Sequence, residues 1–332
     1  RLGIEGGKKT KTGWKTSQDV LDRLVSEGYE IATKIEEFRH LSKLKSTYVD
    51  ALPTYINNKT DKVHTSYRQT GASTGRLASA DPNLQNIPIR TEDGQKIRKC
   101  FIPQTGYSLV SIDYSQAELR ILAHMANIEP LIKAFNDGKD IHSFTAMKLF
   151  GSTEDEFRRK AKAVNFGIVY GMGPFSLAKQ IGVSNAEGKM IIEEYYKMFA
   201  GLEQFMSEQR QKASDLGYVE TIYGRRIHIP EASSSNKMVQ ANAMRGAINA
   251  PMQGANADIM KIIMPKIEQE LASKYPTAKI LMQIHDELVL TIKDEELEQV
   301  SEFVKNMMQD AVDLKVKFKA DIGSGKNWND AH

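Results

Sequence analysis

The sequence predicts an α+β fold, a small antiparallel sheet accompanied by much helix. Three observations carry that reading. The alternating runs 279–284 and 287–292 are separated only by His285 and Asp286, which is a hairpin signal. A further strand-like run, 107–112, leads into Asp113. Most of the remaining chain repeats apolar residues at helical spacing.

Taken in order, residues 17–52 read as helical through Val20, Leu21, Leu24, Ile31, Ile35 and Leu41, until Pro53 and Asn57-Asn58 break the pattern. Residues 63–88 are turn-rich, punctuated by Gly71, Gly75, Pro82 and Pro88. After the strand at 107–112, helices are predicted at 116–127 and 140–150. A third spans 153–171, with Thr153 and Glu156 as a capping box and Gly171 at its C-terminal end. Further helices are predicted at 185–217 and 236–271, then the hairpin, a helix at 295–314 and a strand at 316–320. There is no internal repeat and no low-complexity tract.

With 332 residues the chain is long enough for two or three subdomains. It is 41% hydrophobic and 26% charged, with a net charge of +3, too mild to diagnose a nucleic-acid partner by itself. Basic residues do gather at Lys8, Lys9, Lys11 and Lys15, and again at Arg158, Arg159, Lys160 and Lys162; either group could equally be a solvated face. No apolar run approaches a membrane span, no export signal opens the chain, and the single Cys100 rules out an internal disulfide. A soluble, cytoplasmic protein with no membrane partner is expected. An internal His285–Leu288 retention-like tetrapeptide and an Asn58-Lys59-Thr60 sequon carry no meaning in that setting.

Two carboxylates at strand ends are the centre of the functional reading. Asp113 follows Leu109-Val110-Ser111-Ile112, and Asp286 sits in the hairpin turn. Either alone is ordinary turn chemistry. If the strands lie side by side, however, the two come together as oxygen ligands for a hard cation. Neighbouring aspartates repel unless a cation lies between them, and magnesium suits such ligands. Glu287 adjoins Asp286, but alternation points it to the other face.

The helix at 153–171 carries a second constellation. Arg158, Lys162, Phe166 and Tyr170 recur every four residues and share one stripe, while Ala161, Val164 and Ile168 can face a core. Two cations followed by two aromatic rings suit a ligand with phosphates at one end and a base at the other. An amphipathic surface helix is the competing explanation, and it would leave both aromatics exposed.

These residues sit in segments that resemble the family A DNA polymerases. Asp113-Tyr114-Ser115-Gln116-Ala117-Glu118-Leu119-Arg120, the stretch from Arg158 through Lys162 to Asn165-Phe166-Gly167 and Tyr170-Gly171, and Gln283-Ile284-His285-Asp286-Glu287 look like that family's three polymerase motifs, in order. Thr74-Gly75-Arg76-Leu77, residues 82–88, 138–142 and 248–254, and the closing Gly325-Lys326-Asn327-Trp328 extend the likeness over essentially the whole chain.

The resemblance implies a right-hand architecture with an antiparallel-sheet palm and helical fingers and thumb. Residues 1–62 would be a partial thumb, 63–114 and 238–332 the palm, and 115–237 the fingers. It implies template-directed addition of deoxynucleotides to a primer 3′-hydroxyl by two-metal-ion phosphoryl transfer, on primer–template DNA, by a monomer. Asp113, Asp286 and the Tyr114 carbonyl would hold two Mg²⁺ ions, for which Mn²⁺ could substitute, with Glu287 beside them. Lys162 would neutralise the triphosphate and protonate leaving pyrophosphate. Arg158 and His142 would bind outer phosphates, Phe166 would stack near the incoming nucleotide, Tyr170 would approach the template, and Gln116 would join the nucleotide site. Glu118 would close the space of a 2′-hydroxyl; as an isolated residue it is an ordinary glutamate early in a helix. Arg76, Arg245, Asn249, Gln253 and His285 would contact DNA, with Arg76, Asn249 and Gln253 at minor-groove acceptors common to all base pairs and Arg245 supporting that row.

Ala78 and Ala117 stand where the family pattern suggests a serine and a larger apolar residue, and Phe166 in place of tyrosine suggests discrimination against dideoxynucleotides. The chain opens within the thumb and shows no proofreading carboxylates, so no exonuclease is expected in these residues, and a weaker hold on duplex DNA is. The alternatives are a catalytically weak primer–template binding module, an RNA-synthesising relative, which Glu118 opposes, and a two-metal nuclease, which would not need the 158–170 stripe.

Overall fold

A computed structural model of the chain describes residues 9–11, 13–14, 16–89 and 91–332. Of the first basic cluster, Lys8 and Lys15 lie outside the described residues, while Lys9 and Lys11 are exposed. The chain forms two compact units, one from residues up to 66 with 80–100, the other from 67–79 with 101–332.

In the smaller unit the single helix expected over 17–52 is two, α1 (Gln18–Ser26) and α2 (Glu30–Leu44), followed by a π-helical turn at Lys45–Val49. Gly28 takes φ +84°, and Tyr29 N–H donates back to the Leu24 carbonyl, which closes α1 and turns the chain. Val20, Leu21, Leu24 and Ala32 then pack as a local core. Helix α3 (Glu92–Lys99), unforeseen from sequence, is capped by Thr91, whose hydroxyl accepts from Gly94 N–H at 3.2 Å.

The larger unit is built on a four-stranded antiparallel sheet of β1 (Tyr107–Tyr114), β2 (Lys279–Ile284), β3 (Glu287–Lys293) and β4 (Ala320–Gly325), in the order β2-β3-β1-β4. Register places Glu287 opposite Asp113, Leu288 opposite Ile112 and Leu290 opposite Val110. Opposed residues share a face. One face, with Val110, Ile112, Tyr114, Leu288, Leu290 and Ile292, therefore enters the main core; the other carries Ser111, Asp113, Glu287 and Asp321.

Around that core lie α4 (Ala117–Met125), α5 (Glu129–Asn136), α6 (Ile141–Phe150), α7 (Asp155–Val169), α8 (Pro174–Ile181), α9 (Asn185–Met198), α10 (Leu202–Leu216), α11 (Lys237–Lys274) and α12 (Leu297–Gln309). The helix predicted over 185–217 divides into α9 and α10 at Gly201, φ +96°. The capping box expected at Thr153 and Glu156 is not formed, because α7 starts at Asp155 and Glu156 is then too early to reach back. A capping box does cap α9, between Ser184 and Glu187. At the other end of α7 Gly171 takes φ +74°, with Gly171 N–H donating to Ile168 and Met172 N–H to Gly167 carbonyls, the glycine-terminated end the sequence predicts.

The strand expected at 316–320 lies later, at 320–325. Val316 and Phe318 owe their apolar character to core contact, not to a ladder. The true strand is glycine-bearing because residues 330–332 cross it closely: a Cβ at Gly323 would fall 2.3 Å from the Ala331 carbonyl oxygen. No helix among the described residues is long and apolar enough to cross a membrane.

Tyr114 locks the end of β1 onto α12. Its hydroxyl donates to the Met308 carbonyl at 2.6 Å, and its ring meets Phe318 edge-on at 5.2 Å. Tyr114→Phe leaves that carbonyl only the Ala311 N–H, at 3.2 Å, and chemical denaturation is expected to show a loss of about 0.5–1.5 kcal/mol, the worth of one hydrogen bond; an unchanged midpoint would mean that the hydroxyl contributes nothing.

Candidate active site

The sheet brings the two predicted aspartates together. Asp113 occupies the penultimate position of β1, and Asp286 closes the two-residue turn between β2 and β3, next to the residue paired with Asp113. Tyr114 N–H donates to the Asp286 carbonyl at 3.2 Å, fixing the turn against the strand end. The Tyr67 hydroxyl steadies the same turn from below: it donates to Gln283 C=O and accepts from Gln283 N–H, both at 2.9 Å. His285, exposed at the tip, takes φ +57°, a conformation uncommon for a residue with a side chain. Burial, then the charges of Asp286 and Glu287, push the Asp113 carboxyl well above the carboxylate range, and burial raises Asp286 as well. Glu287 goes the other way. Burial raises it, but the His332 ring 3.6 Å away and hydrogen bonds from Ser111 (2.6 Å) and Trp328 outweigh that and hold it ionised.

The stripe on α7 is present, about 18 Å long at the helical rise. Phe166 and Tyr170 are not exposed, as a plain amphipathic helix would have them; both are half-buried against the main core, with ring centroids 6.1 Å apart. Arg158 Nε donates to Asp140 Oδ2 at 2.6 Å, and Asp140 also caps α6, accepting from His142 N–H and the Ser143 hydroxyl. Although burial raises it, these donors bring Asp140 down to about 2. Lys162 is exposed and makes no hydrogen bond or ion pair with the described residues. His142, on α6, is buried with its ring 5.7 Å from Phe166.

The far end of the stripe reaches the carboxylates through Glu118 on α4. Tyr170 Oη donates to Glu118 Oε2, and Arg76 Nη2 pairs with Glu118 Oε1 at 2.6 Å; Glu118 and Arg76 act with opposite sign on the Asp286 carboxyl. Arg245, Asn249 and Gln253 recur every four residues along α11, and Gly171, at the end of α7, abuts Arg245 and Ile248. Four predicted residues carry a buried side-chain atom with no hydrogen-bond partner: Asp113 Oδ1, Gln116 Oε1, Asn249 Oδ1 and Arg76 Nε. Buried polar atoms are normally paired; Asp113 Oδ1 is the one among them that lies beside a second carboxylate, where a cation or polar ligand would satisfy it.

Residues 1–330 match the family model of DNA polymerase family A. The chain belongs to DNA polymerase family A. It is 46% identical over 343 aligned residues to DNA polymerase I of Rhizobium leguminosarum, covering 100% of this chain and 34% of that protein. It is 45% identical to DNA polymerase I of Pseudomonas aeruginosa, with 100% and 37% covered. The chain thus spans little more than a third of the length of these relatives. Among solved structures it is similar to the POL domain of Pol1 from M. smegmatis in complex with DNA primer-template and dNTP, with a TM-score of 0.90, 39% identity, and 99% of this chain and 59% of that one covered.

The site of this family A chain suits a divalent cation. Among the described residues no group of three or more His, Cys, Asp or Glu side chains is arranged to hold a metal alone. Two carboxylates with a backbone carbonyl leave positions for phosphate and water, as hard cations binding nucleotides require. The unpartnered Asp113 Oδ1 and the upward push on both aspartates are what such a cation would relieve.

Several supporting residues escaped the sequence reading. Arg225 Nε donates to Asp258 at 2.7 Å and Nη2 to the carbonyls of Thr74 (2.6 Å) and Gly254 (3.1 Å), tying the loop that carries Arg76 to the turn of α11 that carries Gln253. Its guanidinium packs on Gly75, where a Cβ would come within 2.7 Å. Asn165, Tyr67 and Tyr195 were missed too. Only Asp140 had a readable signal, an aspartate at the start of a predicted helix.

Proposed function

We propose that this chain catalyses template-directed DNA synthesis, adding deoxynucleotides to a primer 3′-hydroxyl and releasing pyrophosphate. The observation that carries it is the Asp113–Asp286 pair at adjoining strand ends, with one carboxylate oxygen sealed and unpartnered. Asp113, Asp286 and the Tyr114 carbonyl would hold two divalent cations, Mg²⁺ or in its place Mn²⁺, which when bound supply activation of the primer hydroxyl and charge neutralisation on the triphosphate. Glu287, held by Ser111 and Trp328, supports the strand opposite Asp113.

On α7, Lys162 and Arg158 meet the phosphates together with His142. Phe166 stacks at the sugar and base, and Tyr170 lies toward the template with Gln116 near the nucleotide. Arg76, Arg245, Asn249, Gln253 and His285 contact the primer–template. The sheet and α11 serve as palm (63–114 and 238–332), the helices of 115–237 as fingers, and residues 1–62 as part of the thumb. The solved relative bound to primer-template and dNTP supports this assignment of partners.

Glu118 sets the sugar choice. Its carboxylate is pinned by Arg76 and Tyr170 and cannot swing aside for a 2′-hydroxyl. Glu118→Ala is expected to raise ribonucleotide incorporation about 10- to 200-fold relative to deoxynucleotide, the 1–3 kcal/mol that a steric pocket commands. Glu118→Gln, of the same size, should keep most of the discrimination. Extension of a labelled primer with each nucleotide set reads both. No extension by the wild-type chain despite tight primer–template binding would sink the catalytic reading in favour of a binding module.

A further inference from the structure

A buried polar network joins three helices behind the α7 stripe. Asn165, 1% exposed, lies on α7 one residue before Phe166. Its Oδ1 accepts from the Thr145 hydroxyl of α6 at 3.0 Å and from the Tyr195 hydroxyl of α9 at 2.9 Å. Its amide nitrogen lies 2.9 Å from His142 Nδ1. Thr145 and Tyr195 are themselves buried and have no other side-chain hydrogen bond among the described residues. Turning the amide over would face its NH₂ to both hydroxyls and leave their two hydrogens without acceptors in a sealed interior, an arrangement native interiors avoid. The orientation is therefore fixed, and the nitrogen facing the imidazole can only donate.

We infer that Asn165 is a positioning residue that holds His142 as the tautomer protonated on Nε2, so that the nucleotide phosphates meet a neutral N–H donor there in place of a cation. The inference rests on the polymerase reading for the identity of the ligand, but not for the state of the ring. A ring that accepts at Nδ1 and is neutral must carry its proton on Nε2. Nε2 has no hydrogen-bond partner among the described residues and, unlike Asp113 Oδ1, is not sealed from solvent.

The charged groups around the ring agree. Burial lowers His142 first; Asp140 opposes, Lys162 and Arg158 reinforce, and the result is about 4. The phosphate side of the site would thus present Arg158, Lys162 and, at His142, one donor whose charge does not change through the neutral range. The hold on triphosphate, and on departing pyrophosphate, would be insensitive to pH there.

The test uses the whole chain labelled with ¹⁵N-histidine, the His142 signal being assigned by its absence in His142→Gln. Long-range proton–nitrogen spectra of the wild type are expected to show Nδ1 bare and Nε2 protonated, unchanged from pH 5.5 to 8. In Asn165→Asp the carboxylate demands a donor, so Nδ1 should become protonated and the ring should titrate near neutrality. Above that titration Nε2 is bare and faces phosphate. The KM for deoxynucleotide in this variant should then rise about tenfold between pH 6 and 8.5, the worth of one charge-assisted hydrogen bond. The wild-type KM, corrected for effects shared with His142→Gln, should stay flat, and kcat should change less than KM.

A wild-type ring protonated on Nδ1, or an Asn165→Asp ring identical to the wild type, overturns the inference. So does a variant KM without the pH dependence in a chain that extends primers normally. If the wild type extends no primer at all, the polymerase reading falls, and the spectra still decide whether Asn165 fixes the ring.

Discussion

Asp286→Ala is expected to abolish primer extension while leaving the protein folded. The carboxylate belongs to a two-residue turn fixed by backbone bonds from Tyr114 and by Tyr67, none of which involves its side chain. On the proposed reading its loss would remove a ligand from a metal centre able to supply several kcal/mol of transition-state stabilisation, which at 1.36 kcal/mol per decade is a fall of roughly 10³-fold or more in the single-turnover rate. Incorporation within tenfold of the wild type would exclude the pair as the catalytic centre.

The partner residue adds a stability test with a definite sign. Asp113 and Asp286 are raised, so the folded state keeps protons that the unfolded chain has already released. Their contribution to stability is present at pH below the ordinary carboxylate range and is lost as pH rises toward the pair's raised titration. In chelator, Asp113→Asn should therefore melt above the wild type at pH 7.5, by about 2 °C per kcal/mol of repulsion relieved. The gap should close toward pH 4, and divalent cation should narrow it by stabilising the wild type. A variant more stable than the wild type yet inactive is the signature of charge gathered for function.

Lys162→Ala is the second large effect. Lys160 is engaged with Glu156 and Arg158 with Asp140, whereas Lys162 is paired with neither an acid nor a hydrogen-bond acceptor among the described residues. Unlike Arg159, which shares its lack of an ion pair, it stands on the stripe with Arg158, Phe166 and Tyr170. If it both neutralises the triphosphate and protonates pyrophosphate, alanine should cost about 10²- to 10⁴-fold in incorporation rate, the usual range for a general acid. Lys162→Arg separates the two roles. It keeps the charge, so nucleotide KM should stay near the wild-type value, but guanidinium does not release a proton and the rate should remain low. An arginine variant as fast as the wild type would leave only the electrostatic role.

The parts of this site that were readable from sequence are those with short-range periodicity. Arg158, Lys162, Phe166 and Tyr170 announce themselves by a spacing of four, and Asp286 by a two-residue gap between alternating runs. The meeting of Asp113 and Asp286 is compatible with the sequence but not required by it, since it depends on β3 choosing β1 as its neighbour. Supporting polar residues were illegible for the same reason. Nothing local to Asn165 says that its amide will find hydroxyls from α6 and α9, and nothing near Arg225 points to the carbonyls of Thr74 and Gly254. Misplaced boundaries have local causes. Gly28 and Gly201 cut helices whose apolar rhythm runs on, and the glycines of β4 hid a strand whose neighbours carry the apolar alternation instead.

The pairing of β1 with β3 also governs when the site can come into being. Opposed residues such as Asp113 and Glu287 are separated by most of the helices of the larger unit, so the central ladder closes a very long loop. Closing a loop of that length costs on the order of 4–5 kcal/mol in chain entropy before any contact is gained. Contacts so distant in sequence slow folding. As the chain collapses, helices such as α6 and α7 can meet each other across a short stretch of chain, whereas the two aspartates have no shared position until the sheet zips shut. A cation binding to the pair therefore cannot seed the fold. It would select molecules in which the central ladder has already closed.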